Sequence, residues 1–168
     1  ASGGTAVGMQ ALSSNTTGAE NTAVGINSLF TNTTGTKNVG IGYQALYTNN
    51  ANSNTALGYN SLVSNTTGSG NVSVGEESLD ANTTGGSNTA VGKSSLTANT
   101  TASNNVAVGS SAMFSNTTGT SNTAIGTVAL YANTTASNNT AAGYYSLANS
   151  STGADNTAVG AESLEQVT

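Results

Sequence analysis

The sequence predicts an all-β fold: a parallel β-solenoid of about ten 17-residue coils, filling residues 1–168 as one repetitive domain. Three observations carry that expectation. A glycine following a small residue and an apolar one recurs at Gly8, Gly25, Gly42, Gly58, Gly75, Gly92, Gly109, Gly126, Gly143 and Gly160, every 17 residues with one step of 16. Two apolar columns keep time with it, one just before the glycine (Val7, Val24, Ile41, Leu57 and onward) and one four residues after it (Leu12, Leu29, Leu46, Leu62 and onward). No Asn-Gly or Asp-Gly dipeptide occurs, so the strongest short hairpin signal is missing and parallel stacking is favoured over a meander.

The elements of one unit follow in order. Residues 21–24, Asn-Thr-Ala-Val, read as a strand, and residues 25–27 as a corner in which Gly25 supplies a positive φ. Residues 28–31 form a second short segment. The run Ile26-Asn27-Ser28-Leu29-Phe30 fits a strand or a helical turn equally, because apolar residues around a small one do not settle the period. A polar return, Asn-Thr-Thr-Gly, closes the coil. The 16-residue step falls between Asn49 and Asn54, inside that return, and spares the apolar columns.

In an extended strand Thr22 and Val24 share one face and Ala23 the other. The Val and Leu columns are the expected core. The tiny residues at Ala6, Ala23, Ala56, Ala90, Ala107, Ala124 and Ala158 are then the expected assembly face, where another chain comes close. A coil burying one Val and one Leu is thin, which points to association of several chains. Two asparagine columns need no ligand: Asn21, Asn38, Asn54 and their successors, and Asn15, Asn32, Asn49 and theirs. Stacked amides can bond from coil to coil and satisfy corner backbone groups.

Composition excludes several functions. The chain has no Cys, His or Pro and only 5% charged residues, so it offers no disulfide framework and no thiolate or imidazole metal site. Seven carboxylates against two lysines leave little to neutralise phosphates, and nucleic acid is not an expected partner. No apolar run approaches the roughly 18 to 20 residues of a membrane span, and no insertion is expected. The N-terminal Ala-Ser-Gly-Gly has neither the basic nor the apolar region of a signal peptide. Neither that stretch nor the C-terminal Glu-Gln-Val-Thr has the character of a solenoid cap, so the chain is expected to be a piece of a longer fibre.

The motifs Asn-Thr-Ala-Val-Gly (residues 21–25), Asn-Val-Gly-Ile-Gly (38–42) and Asn-Val-Ala-Val-Gly (105–109) resemble the head repeats of trimeric autotransporter adhesins. Similar arrays also look like segments of phage tail fibres and related surface fibres. The resemblance spans essentially the whole chain and rests on a short motif. It implies a left-handed parallel β-roll, three chains of which associate about a common axis. Carried over, Ala6, Ala23, Ala90 and Ala107 would approach the neighbouring chains.

Several chemical motifs have plainer explanations. Val-Gly-Lys-Ser-Ser at residues 91–95 looks like the tail of a phosphate-binding loop, but that pattern requires glycine where Ser87 stands, and Gly92 belongs to the repeat. Glu76, Glu77 and Asp80 are the only acidic cluster. They fall at variable positions with no second cluster facing them, and without His or Cys the usual bases and nucleophiles are missing. No enzyme activity and no cofactor are expected. The seven Asn-Thr-Thr sequons read as a row of glycans in a eukaryotic secretory protein and as a turn-forming ladder in a bacterial or phage one.

Recognition is expected where the coils differ. Tyr43, Tyr59, Tyr144 and Tyr145 follow the glycine and could stack on sugars or touch a receptor, or be partly buried between coils or chains. The combined expectation is a structural and adhesive extracellular fibre segment on a cell surface or virion. It would be a homotrimer serving as a stiff spacer and surface-binding rod, with a host-surface receptor or glycan as partner. A flat, nearly uncharged solenoid face with stacked threonines also resembles an ice-binding surface, which is the alternative reading.

Overall fold

The computed structural model describes residues 3–165; the outermost residues of both the Ala-Ser-Gly-Gly and Glu-Gln-Val-Thr stretches lie outside it. Each coil contributes one three-residue strand: β1 Thr5–Val7, β2 Thr22–Val24, β3 Val39–Ile41, β4 Thr55–Leu57, β5 Val72–Val74, β6 Thr89–Val91, β7 Val106–Val108, β8 Thr123–Ile125, β9 Thr140–Ala142 and β10 Thr157–Val159. They form one ten-stranded sheet in chain order, every neighbouring pair parallel. The chain is thus a parallel β-solenoid. Across the short coil the register is kept, Val39 opposite Thr55 and Ile41 opposite Leu57.

No helix occurs among the described residues, so the second segment is not a helical turn. Its backbone alternates in sign of φ, with Gly25 at 129°, Asn27 at 59° and Leu29 at 51°. The N–H groups of Asn27 and Leu29 turn to opposite neighbours, while Ser28 N–H between them donates within its own coil to Gly25 O. Asn27 N–H donates to Met9 O in the preceding coil at 2.9 Å, and Leu29 N–H to Ala45 O in the following coil at 3.0 Å. Each leucine of the column therefore sits in left-handed space, which costs a bulky residue free energy that packing must offset. At Gly25 only a glycine fits: a Cβ would lie 2.5 Å from Gly42 O in the next coil.

The leucine column is core as expected, with Leu29, Leu46, Leu62, Leu79, Leu96, Met113, Leu130 and Leu147 fully buried. The other core column is corrected. Ala23, Ala56, Ala90, Ala107 and Ala124 have no exposed surface and Ala158 has 3%, so the proposed assembly face points inward. Ala6, in β1, is exposed, where the sheet has a neighbour on one side only. The residues expected in the core point out instead: Leu57 is 45% and Ile125 48% exposed.

The reason is thickness. At Gly40, a Cβ would meet Leu29 Cγ at 3.4 Å, so the leucine reaches across the coil to the strand centre. Only a small side chain fits between the walls, none at Gly40, a methyl in most coils and a hydroxymethyl at Ser73, and the larger Val and Thr must face outward. The single chain exposes 6695 Å², less than the roughly 7,500 Å² typical of a folded monomer of its 16.3 kDa. Area alone therefore does not demand partner chains.

Candidate functional site

The interior is as much amide as hydrocarbon. Asn38 N–H donates to Asn21 Oδ1 at 2.9 Å, and the same bond repeats up the column to Asn156 at 2.9 to 3.0 Å. The matching Nδ2 groups donate to carbonyls at the return that closes the same coil, Asn21 to Gly35 O at 2.7 Å and Asn88 to Ala102 O at 2.9 Å. Each side chain thereby satisfies two buried backbone groups that no strand partner reaches.

The second column is a chain of amide-to-amide bonds, such as Asn82 Nδ2 to Asn65 Oδ1 at 2.9 Å and Asn99 Nδ2 to Asn82 Oδ1 at 2.8 Å. These are the sequon asparagines, and from Asn32 onward they are fully buried. A folded coil cannot carry a glycan on a buried, bonded Nδ2, so the row of glycans is incompatible with this fold. The ladder fails in two places. Asn32 Oδ1 has no donor at the short coil, and Asn133 Oδ1 and Ser150 Oγ are both unpartnered where serine replaces asparagine.

The short coil is repaired by a side chain. In the usual return, the N–H groups of Thr16, Thr17 and Gly18 converge on Thr33 O at 3.0, 3.1 and 3.3 Å. In the next step the N–H groups of Thr33, Thr34 and Gly35 converge on Asn50 Oδ1 at 3.0, 2.9 and 3.3 Å. An amide oxygen stands in for the missing peptide carbonyl. The first threonine of each return is also committed inside the stack, as Thr66 Oγ1 to Thr83 O at 2.9 Å and Thr83 Oγ1 to Thr100 O at 3.0 Å show.

Among the expected recognition residues, Tyr43 and Tyr59 come together, with rings stacked at 5.3 Å and 10°. Phe30–Tyr47 and Phe114–Tyr131 stack likewise at 5.1 Å. The stacks run from coil to coil, so one face of each ring is covered by its neighbour. Tyr144 and Tyr145 form a separate tilted pair, 4.5 Å apart at 55°. The acidic cluster is dispersed: Glu76 pairs with Lys93 at 3.1 Å on the surface, and Asp80 accepts from Thr97 Oγ1 at 2.9 Å. Lys93 and Gly92 thus belong to a solenoid corner and not to a phosphate loop.

The surface that sequence reasoning missed is the outer face of the sheet. One column carries Thr22, Val39, Thr55, Val72, Thr89, Val106, Thr123 and Thr140, the other Val24, Ile41, Leu57, Val74, Val91, Val108, Ile125 and Ala142, half-buried to exposed throughout. No carboxylate or lysine stands in any strand. The signal available was the even alternation of Thr22, Ala23 and Val24, which separates the faces without saying which is inside. Compared with known protein families, curated proteins and solved structures, the chain matches none, and the fibre resemblance rests on its sequence motifs.

Proposed function

We propose that this chain is a structural and adhesive segment of an extracellular fibre, a stiff, weakly charged rod that works without a cofactor or catalytic centre. The observation that carries the reading is the pairing of two features. The inside is stitched from coil to coil by one unbroken asparagine ladder and a second with two breaks, while the outside keeps an uncharged Thr and aliphatic strip along all ten strands. Such a body holds its shape along an axis, gains stiffness from every added coil, and has a face left for other chains. By resemblance the assembly is a homotrimer, with a host-surface receptor or glycan as its partner.

Ice binding is the second reading, favoured by the half-exposed threonines at one strand position and the regular rung spacing of about 4.8 Å. Against it stands the aliphatic column alongside, whose residues range from Ala142 to Leu57 and make an uneven surface. Light scattering together with a freezing assay separates the two. A mass of three chains and no thermal hysteresis support the fibre; a monomer with hysteresis overturns it in favour of ice.

A further inference from the structure

We infer that the outer strip of the sheet, and not the alanine column, is the surface on which a second copy of this chain packs. The inference rests on the fibre reading above and names its contact face. Three observations select the occupant. The first is pitch: the strip is a ladder with one rung per coil, and a partner with the same rung spacing can keep its side chains in step over the whole length. A second copy has that spacing by construction.

The second is area. Ten rungs at about 4.8 Å make a strip about 48 Å long, and the strand with its flanking column is about 17 Å wide, giving about 800 Å², near what each partner contributes to a stable interface. The flanking column adds Ile26, Tyr43 and Tyr59, all exposed. Where that column turns charged, Glu76 and Lys93 neutralise one another at 3.1 Å.

The third is where the irregularity lies. The 16-residue coil loses its residue from the return, and Asn50 Oδ1 absorbs the loss there. The strip runs through that coil in register. An apolar, charge-free ladder kept continuous while the return is allowed to vary is what two identical rods need to lie along each other.

The chain has no cysteine, so a single introduced thiol reports contact without interference. Thr89→Cys lies in β6, near the middle of the sheet, and faces itself or the adjacent rung whether the copies run parallel or antiparallel. Thr84→Cys lies in a return and is the more exposed of the two, so chance collision favours it. Each variant is treated at micromolar concentration with a short bis-maleimide, whose span suits the roughly 10 Å between packed sheets. Docking raises the effective thiol concentration to the millimolar range, so Thr89→Cys should couple about a hundredfold faster than Thr84→Cys.

Equal rates, or faster coupling through Thr84→Cys, overturn the inference. Light scattering on the unsubstituted chain separates the two levels of failure. If it is oligomeric and Thr89→Cys does not couple, the strip is not the contact and the fibre reading stands. If it is a monomer and neither thiol couples, both fall.

Discussion

Asn88→Ala tests whether the buried amides hold the coils together. The substitution removes the acceptor of Asn105 N–H, bonded at 3.0 Å, and the donor to Ala102 O, bonded at 2.9 Å. Asn105 N–H stays buried and loses its partner, while Ala102 O keeps the Nδ2 of Asn99 at 3.1 Å. One orphaned buried donor costs about 1–3 kcal/mol, and that is the loss expected. Thr84→Ala on the exposed return is the control, expected within about 0.5 kcal/mol. Urea denaturation followed by circular dichroism reads both. A loss below about 1 kcal/mol for Asn88→Ala, with an unchanged m-value, would refute the reasoning that the amide satisfies an otherwise stranded N–H.

Asn88→Asp sharpens the same test through pH. The new carboxyl keeps the acceptor for Asn105 but faces Ala102 O with no proton to donate once ionised. Burial beside a carbonyl raises its folded pKa above the unfolded value of about 3.9. Between those two values the folded state holds a proton that the unfolded state has released. Stability should therefore fall as pH rises above about 4, and the variant should be closest to the parent near pH 4. A variant whose deficit is the same at pH 4 and pH 8 would mean that the donor to Ala102 does not matter.

Three further outcomes follow from the same geometry. Ser150→Asn offers Asn133 Oδ1 the donor it lacks, and should raise stability by about 1 kcal/mol in denaturant titration. Ala107→Glu should unfold the neighbouring coils and reduce the β-sheet signal in circular dichroism, since Ala107 is wholly buried; a folded variant that only loses partners would restore the alanine face as the contact. Gly109→Ala places a Cβ 2.5 Å from Gly126 O at a φ of 137°, and should cost about 2–5 kcal/mol in the same titration.

Much of the architecture was legible because it depends on repetition and local bonding. The 17-residue period places every strand, the absence of hairpin dipeptides selects parallel stacking, and the glycine column marks corners of positive φ, as the 129° at Gly25 shows. The asparagine columns read correctly as ladders, because an amide repeated at the coil period meets the same column in the next coil and the corner backbone groups beside it. The short step likewise read as a loop event, although no pattern in Asn49-Asn50-Ala51 revealed that Asn50 Oδ1 would replace a peptide carbonyl.

The sequence by itself determined the period, the strand positions and the two faces of each strand. It could not say which face is inside. Hydrophobicity sends Val24 and Val91 inward and leaves Ala23 and Ala90 outside, and the opposite holds. The decision is one of volume: Leu29 reaches across a coil one side chain thick, so the strand centre has room for glycine, alanine or serine and nothing larger. Only the closed coil sets that distance. It also explains why leucines accept left-handed backbone against their own preference, and why an aliphatic ladder remains on the surface for another chain to cover.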